Sequence, residues 1–109
     1  MNRDLAYLQH ILECIDLIFE YTEEGKDDFI SNQIIKDAVI RNFQVIGEAT
    51  KKLSSELISE NKDVPWSKMA KFRDKIIHDY IGINYYLVWD VVEKELPKIK
   101  PYIVALVED

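Results

Sequence analysis

Three residues in one short stretch have the types and spacing for proton transfer and phosphate chemistry. They are Arg73, His78 and Tyr80, within PWSKMAKFRDKIIHDYIG, Pro65 to Gly82. A histidine titrates near neutrality and can take or give a proton. An arginine presents a planar fork that matches two phosphate oxygens. His78 is the only histidine outside the first helix, where His10 lies. On an ideal helix Arg73, Ile77 and Tyr80 stand at i, i+4 and i+7 and share a face, whereas His78 falls about 140° round from Arg73. One copy therefore does not bring Arg73 and His78 together easily. Either the helix ends by His78 and the chain turns, or a second subunit completes the site. Each residue also has an ordinary reading: a solvated charge for Arg73, a helix-dipole partner for His78, a core ring with a wet hydroxyl for Tyr80.

The setting of this stretch is unusual for the chain. The 109 residues carry a net charge of −6, which argues weakly against nucleic acid as a partner. From Lys62 to His78, however, Lys62, Lys68, Lys71, Arg73 and Lys75 outnumber Asp63 and Asp74. The excess of negative charge lies elsewhere. A lysine-coated helix face gives the same count, so charge alone does not establish a polyanion site.

Other chemistries find little support. His10 and His78 have no partner at the spacing of an H-E-x-x-H zinc helix, and the carboxylates are scattered along helix faces. The single cysteine, Cys14, allows neither an internal disulfide nor a thiolate cluster. Three separated glycines make no phosphate loop. No metal and no cofactor are expected. The N-terminal MNRDLAYLQH has charges where a signal peptide needs an apolar core, and no apolar run approaches a membrane span. A cytoplasmic protein without membrane contact is expected.

The elements that must position the motif read as helices in one domain spanning residues 1–109. Apolar residues make up 48% of the chain, against only three glycines and three prolines, and no segment alternates with period two. A first helix is predicted from about Asp4, as N-cap, to about Glu24, with Gly25 ending it. Leu5, Leu8, Leu12, Ile15 and Phe19 form one stripe, and Tyr7, Ile11, Cys14, Ile18 and Tyr21 a second. So wide an apolar surface calls for neighbours on two sides, or for another subunit. Gly25 to Phe29 reads as an acidic turn. A long helix follows, from Ile30 or Asn32 to about Glu60, with Ile35, Ala38, Val39, Ile46, Ala49, Leu53 and Leu57 on its buried side. Gly47 in mid-helix costs roughly 1 kcal/mol relative to alanine, so close helix packing is expected there. Arg41 and Glu48 read as surface or interhelical ion pairs. Pro65 opens a third helix that Gly82 and Asn84 end. A fourth runs from about Asn84 to Glu95, and Pro97 begins a last one to about Glu108. The expected fold is all-α, an antiparallel four- to five-helix bundle.

The spacing Arg73-(DKII)-His78-Asp79-Tyr80 resembles the R-x4-H-x-Y signature of the HEPN superfamily. VIRNFQVIGEATKKL (Val39–Leu53), the motif segment and VWDVVEKELPKIKPYI (Val88–Ile103) together resemble its HepT-like group, over nearly the whole chain. The resemblance implies a dimerising HEPN-like bundle whose motif helices form one cleft. It implies a metal-independent ribonuclease, the toxin of a toxin–antitoxin pair. The partner would be a minimal nucleotidyltransferase antitoxin, MntA-like, that silences the toxin by transferring AMP to the motif tyrosine. By position Arg73 and His78 would be catalytic, and Tyr80 the AMP acceptor. Asp74, Lys71 and Lys75 would border the RNA substrate. Many members have Asn after the arginine; Asp74 here adds a negative charge beside a phosphate.

Two other readings stand beside this one. A non-catalytic HEPN module would dock and regulate a nucleotidyltransferase, and the acidic net charge and Asp74 lean that way. A helical dimerisation protein without chemistry would leave the Arg73–His78–Tyr80 spacing unexplained.

Overall fold

The computed structural model describes residues 2–108, leaving aside the side chains of Asn2 and Tyr80. Every regular element among the described residues is helical. Helix α1 (Asn2–Tyr21) buries Leu8, Ile11, Cys14, Ile15 and Ile18, and it packs against α3 (Gln33–Lys51) and against α7 (Leu96–Glu108). Both stripes thus find neighbours, as their width demanded, although Leu5 stays exposed. Helix α3 lies at the centre, with α1 against it and α5 (Trp66–His78) against it as well.

The segment after Gly25 is helix rather than turn. Gly25 has φ of 96°, a left-handed conformation suited to glycine, and α2 (Lys26–Ser31) follows at once. Phe29, on α2, is fully buried between the rings of Tyr85 and Trp89, at 6.3 and 5.7 Å. Asn32 then caps α3, its side chain accepting from the amides of Ile34 and Ile35.

The long helix predicted to reach residue 60 starts at Asn32, the second of its two expected starts, and is broken after Lys51. At the break the Lys52 amide turns back to the carbonyls of Ala49 and Thr50. Ser54 then caps a short α4 (Ser55–Glu60), its Oγ accepting from the Leu57 amide at 3.1 Å. Asp4 is part of this break and is not the N-cap of its own helix. Its carboxylate accepts the Ser54 amide at 2.9 Å and the Ser54 hydroxyl at 2.6 Å. The tie joins the start of α1 to the chain just beyond the end of α3, so these two helices run antiparallel.

These two hydrogen bonds, the hydroxyl's first, hold the Asp4 carboxyl below its ordinary value of 3.8. The ionised form therefore stabilises the fold above that value, and the contribution is lost as pH falls through the lower folded value. Asp4→Asn is expected to lower stability at neutral pH by about 1–2 kcal/mol. It should also flatten the acid limb of stability against pH. Denaturant unfolding from pH 7 downward checks this; parallel curves for the two proteins would refute it.

Helix α5 starts after Pro65, with Trp66 Nε1 donating to the Asn61 carbonyl at 3.0 Å. Phe72 meets Phe43 of α3 edge to face at 5.0 Å. The helix ends at His78, and a 3-10 turn follows over Tyr80–Gly82. Asn84 caps α6 (Tyr85–Asp90) through the amides of Tyr86 and Leu87.

Pro97 does not start a separate helix. Helix α6 passes through a π-helical turn, Val91–Glu95, straight into α7. In that turn the Leu96 amide reaches the Val91 carbonyl, five residues back. The architecture is thus four long helical stretches, α1, α3, α5 and α6–α7, with α2 and α4 as short additions. No helix among the described residues is long and apolar enough to cross a membrane.

Candidate active site

Arg73 sits where α5 comes closest to α3. A Cβ added to Gly47 would lie 2.0 Å from Arg73 Cβ and 2.7 Å from its Cγ. Glycine is required at this position because the arginine stem occupies the space a side chain would take. The close packing expected at Gly47 is present, and its partner is the motif arginine.

The guanidinium is held by carboxylates from both helices. Nη2 lies 3.6 Å from Glu48 Oε2 on α3, and Nη1 lies 3.3 Å from Asp74 Oδ1 on its own helix. Nε is buried and has no hydrogen-bond partner, so the fork is not fully satisfied. The side chain is 26% exposed, far from a freely solvated charge. Lys51, one turn beyond Gly47, forms a short ion pair with Asp74 Oδ1. Across the two helices the charges alternate: Glu48, Arg73, Asp74, Lys51. Asp74 is held below the usual carboxylate range, chiefly by the hydrogen bond from Lys51 and next by that from Arg73. It is a carboxylate at neutral pH.

His78 is exposed at the last position of α5. Arg73 lies in the same helix, five residues earlier, a spacing that an ideal helix sets about 140° round. Tyr80 opens the 3-10 turn, and its side chain lies outside the described residues. Lys71 is exposed on α5. Lys75 pairs with Asp79 at 3.1 Å one turn on. Near His78 the apolar surface is open: Ile77 is 44% exposed and Ile81 fully so. No group of three His, Cys, Asp or Glu side chains among the described residues is placed to hold a metal ion.

Sequence reasoning missed Lys51, and it did not join Glu48 to Arg73. Glycine at 47, Glu at 48 and Lys at 51 do lie within one turn of α3. That spacing defines a face, but it does not say which helix the face meets.

A family model described as "Ribonuclease HepT-like" matches residues 11–106. The chain is 42% identical over 111 residues to the "Gamma-glutamylcyclotransferase and putative RNase MJ0434" of Methanocaldococcus jannaschii, which covers all of the chain and 50% of that protein. The chain thus spans half the length of this relative. It is 36% identical to the "Putative RNase TTE0752" of Caldanaerobacter subterraneus subsp. tengcongensis, over 99% of the chain and 97% of the relative. It is 38% identical to the "Probable ribonuclease HepT" of Thermococcus cleftensis, over 86% of each. No solved structure matches the chain significantly.

Proposed function

The chain belongs to the HepT-like ribonuclease family, and we propose that it is an RNA endonuclease in which two copies pair so that Arg73 of one and His78 of the other act on a single RNA phosphate. The observation that carries this is the different surroundings of the two residues. Arg73 is locked against α3 at Gly47, while His78 stands exposed at the helix end beside uncovered Ile77 and Ile81. An apolar surface next to a reactive group suits a second copy placed over it.

RNA supplies its own nucleophile. The 2′-hydroxyl loses its proton to a base, the new 2′-O–P bond forms, and the bond from phosphorus to the 5′-oxygen breaks. The leaving oxygen takes up a proton. A neutral His78 imidazole can accept the first proton, and a protonated one can supply the second. One histidine can fill both roles in turn, since the proton it takes from the 2′-hydroxyl is the one it gives to the leaving oxygen. Arg73 donates to the phosphate oxygens as negative charge builds on them. Lys71 lies exposed on the same helix and adds attraction for the backbone. This scheme asks for no metal.

The same reading makes the protein the toxin of a toxin–antitoxin pair in the cytoplasm. Its partner is a minimal nucleotidyltransferase, MntA-like, that moves AMP from ATP onto Tyr80. The tyrosine oxygen bonds to the α-phosphorus and pyrophosphate leaves. Tyr80 follows His78 by two residues, so the added phosphate and nucleoside would occupy the space RNA needs. A Tyr80→Phe protein should still cleave RNA yet escape silencing by the transferase with ATP. Silencing of Tyr80→Phe to the wild-type extent would remove the tyrosine from the scheme. The reading as a whole is tested by cleavage of labelled RNA: the purified protein cleaves, and His78→Ala does not. Equal cleavage by both would overturn it.

The non-catalytic alternative drew on Asp74 as a charge hostile to phosphate. The Lys51 ammonium beside that carboxylate offsets it, which weakens the ground for that alternative.

A further inference from the structure

We propose that Lys51 is a positioning residue of the site, one that draws Asp74 away from Arg73 so that an RNA phosphate can take the vacated guanidinium edge. The inference rests on the ribonuclease reading above and extends it to a residue outside the motif.

In the free chain Arg73 already has two anionic neighbours, Glu48 at 3.6 Å and Asp74 at 3.3 Å. Both compete with phosphate. The Glu48 contact is the longer and comes from the opposite helix, on Nη2. Asp74 occupies Nη1, on the residue's own helix. A phosphate that binds Arg73 through two nitrogens has to displace at least one carboxylate. Asp74 is about half exposed, so giving up its ion pair with Arg73 costs only the modest worth of a surface pair, and a second cation close by lowers that cost further. Asp74 has another partner, because its Oδ1 is shared between Arg73 Nη1 and Lys51 Nζ. When phosphate arrives, the carboxylate can stay with Lys51 and give up Arg73. The low position of the Asp74 carboxyl, set first by Lys51, agrees with lysine as its main partner. Without Lys51 the carboxylate would keep Arg73 as its one close cation and would compete with phosphate for it.

Lys51 can be placed here only because it stands one turn after Gly47, on the α3 face that α5 touches. The arrangement answers the local difficulty raised by an acidic residue directly after the motif arginine. The carboxylate is retained, and a cation from the neighbouring helix restrains it.

The experiment compares wild type, Lys51→Ala, Asp74→Asn and the double variant. Steady-state cleavage of a short labelled RNA is read together with binding of the same RNA, by fluorescence anisotropy, in a His78→Ala background. Lys51→Ala is expected to raise KM and Kd by roughly two- to fivefold, with kcat changed much less. Asp74→Asn alone should lower KM, because it removes a competitor. In the double variant the loss should disappear, so that Lys51→Ala has no further effect once Asp74 is Asn. Lys51→Arg should keep most of the wild-type affinity. A lysine that merely tied the helices together would not be rescued by Asp74→Asn, since that change weakens the same tie. A lysine that touched RNA directly would show the same loss in both backgrounds. Either result overturns the proposal, as does a Lys51→Ala protein with wild-type KM and Kd. The ribonuclease reading fails separately, by equal cleavage from wild type and His78→Ala. The anisotropy arm still reports on Lys51 in that event.

Discussion

His78→Ala is expected to slow RNA cleavage by about 10²–10⁴-fold, the usual contribution of a positioned acid–base group. The fold should be untouched, because His78 is exposed at the end of α5 and bears no core contact. Thermal unfolding and solution mass should match wild type. Arg73→Ala is expected to cost about 10²–10³-fold, as for loss of one donor to a developing anion. Arg73 is harder to read alone, since its stem fills the notch at Gly47 and its fork joins Glu48 and Asp74. Arg73→Lys resolves this. It keeps a charge and most of the packing but loses the planar fork, so activity should stay low while stability returns. An Arg73→Lys protein with wild-type activity would show that a point charge suffices.

Gly47→Ala should be nearly as damaging, from a position with no chemistry of its own. Alanine gains about 1 kcal/mol in helix propensity over glycine. That gain is outweighed, because its Cβ would fall 2.0 Å from Arg73 Cβ. The neighbour here is the base of a side chain, with its backbone Cα only 3.3 Å away, so α5 itself must move. Overpacking of this kind costs typically 1–3 kcal/mol. Arg73 moves with its helix, and a misplacement of about 1 Å can reduce a rate by about 10²-fold. The expected protein folds, unfolds at lower denaturant and cleaves RNA poorly. Gly82→Ala is the matched control: nothing lies within 4 Å of a Cβ there. It should leave stability within about 0.5 kcal/mol of wild type. Equal stability and activity of Gly47→Ala and wild type would mean that the two helices do not meet as closely as described.

What the sequence could and could not disclose follows from the range of each interaction. The apolar stripes on α1, the Asn32 and Asn84 caps and the Pro65 start are local, and each is where the spacing placed it. The break after Lys51 was not legible, because the tie that fixes it reaches back fifty residues to Asp4. Propensity and periodicity ran on through the break, and Ser54, whose hydroxyl caps α4, was the one local sign against them. Pro97 was read by a local rule, yet the helix runs on through it after the π turn over Val91–Glu95. For the site, R-x4-H-x-Y gave the residues, and the i, i+5 separation called for a turn at His78 or a second copy. Helical spacing could not name the partner of Gly47, since a face is visible in sequence but the helix opposite is not. Lys51 went unnoticed for the same reason.

The central claim is that Arg73 and His78 act together from different copies, and mixing two inactive proteins tests it most directly. Purified Arg73→Ala and His78→Ala proteins, each silent alone, are combined under conditions where subunits exchange. Exchange is followed by energy transfer between labels. In a mixed dimer one site keeps an intact Arg73 from one subunit and an intact His78 from the other. The account predicts that RNA cleavage returns as mixed dimers form. A mixture that exchanges fully and stays as silent as its components would contradict it.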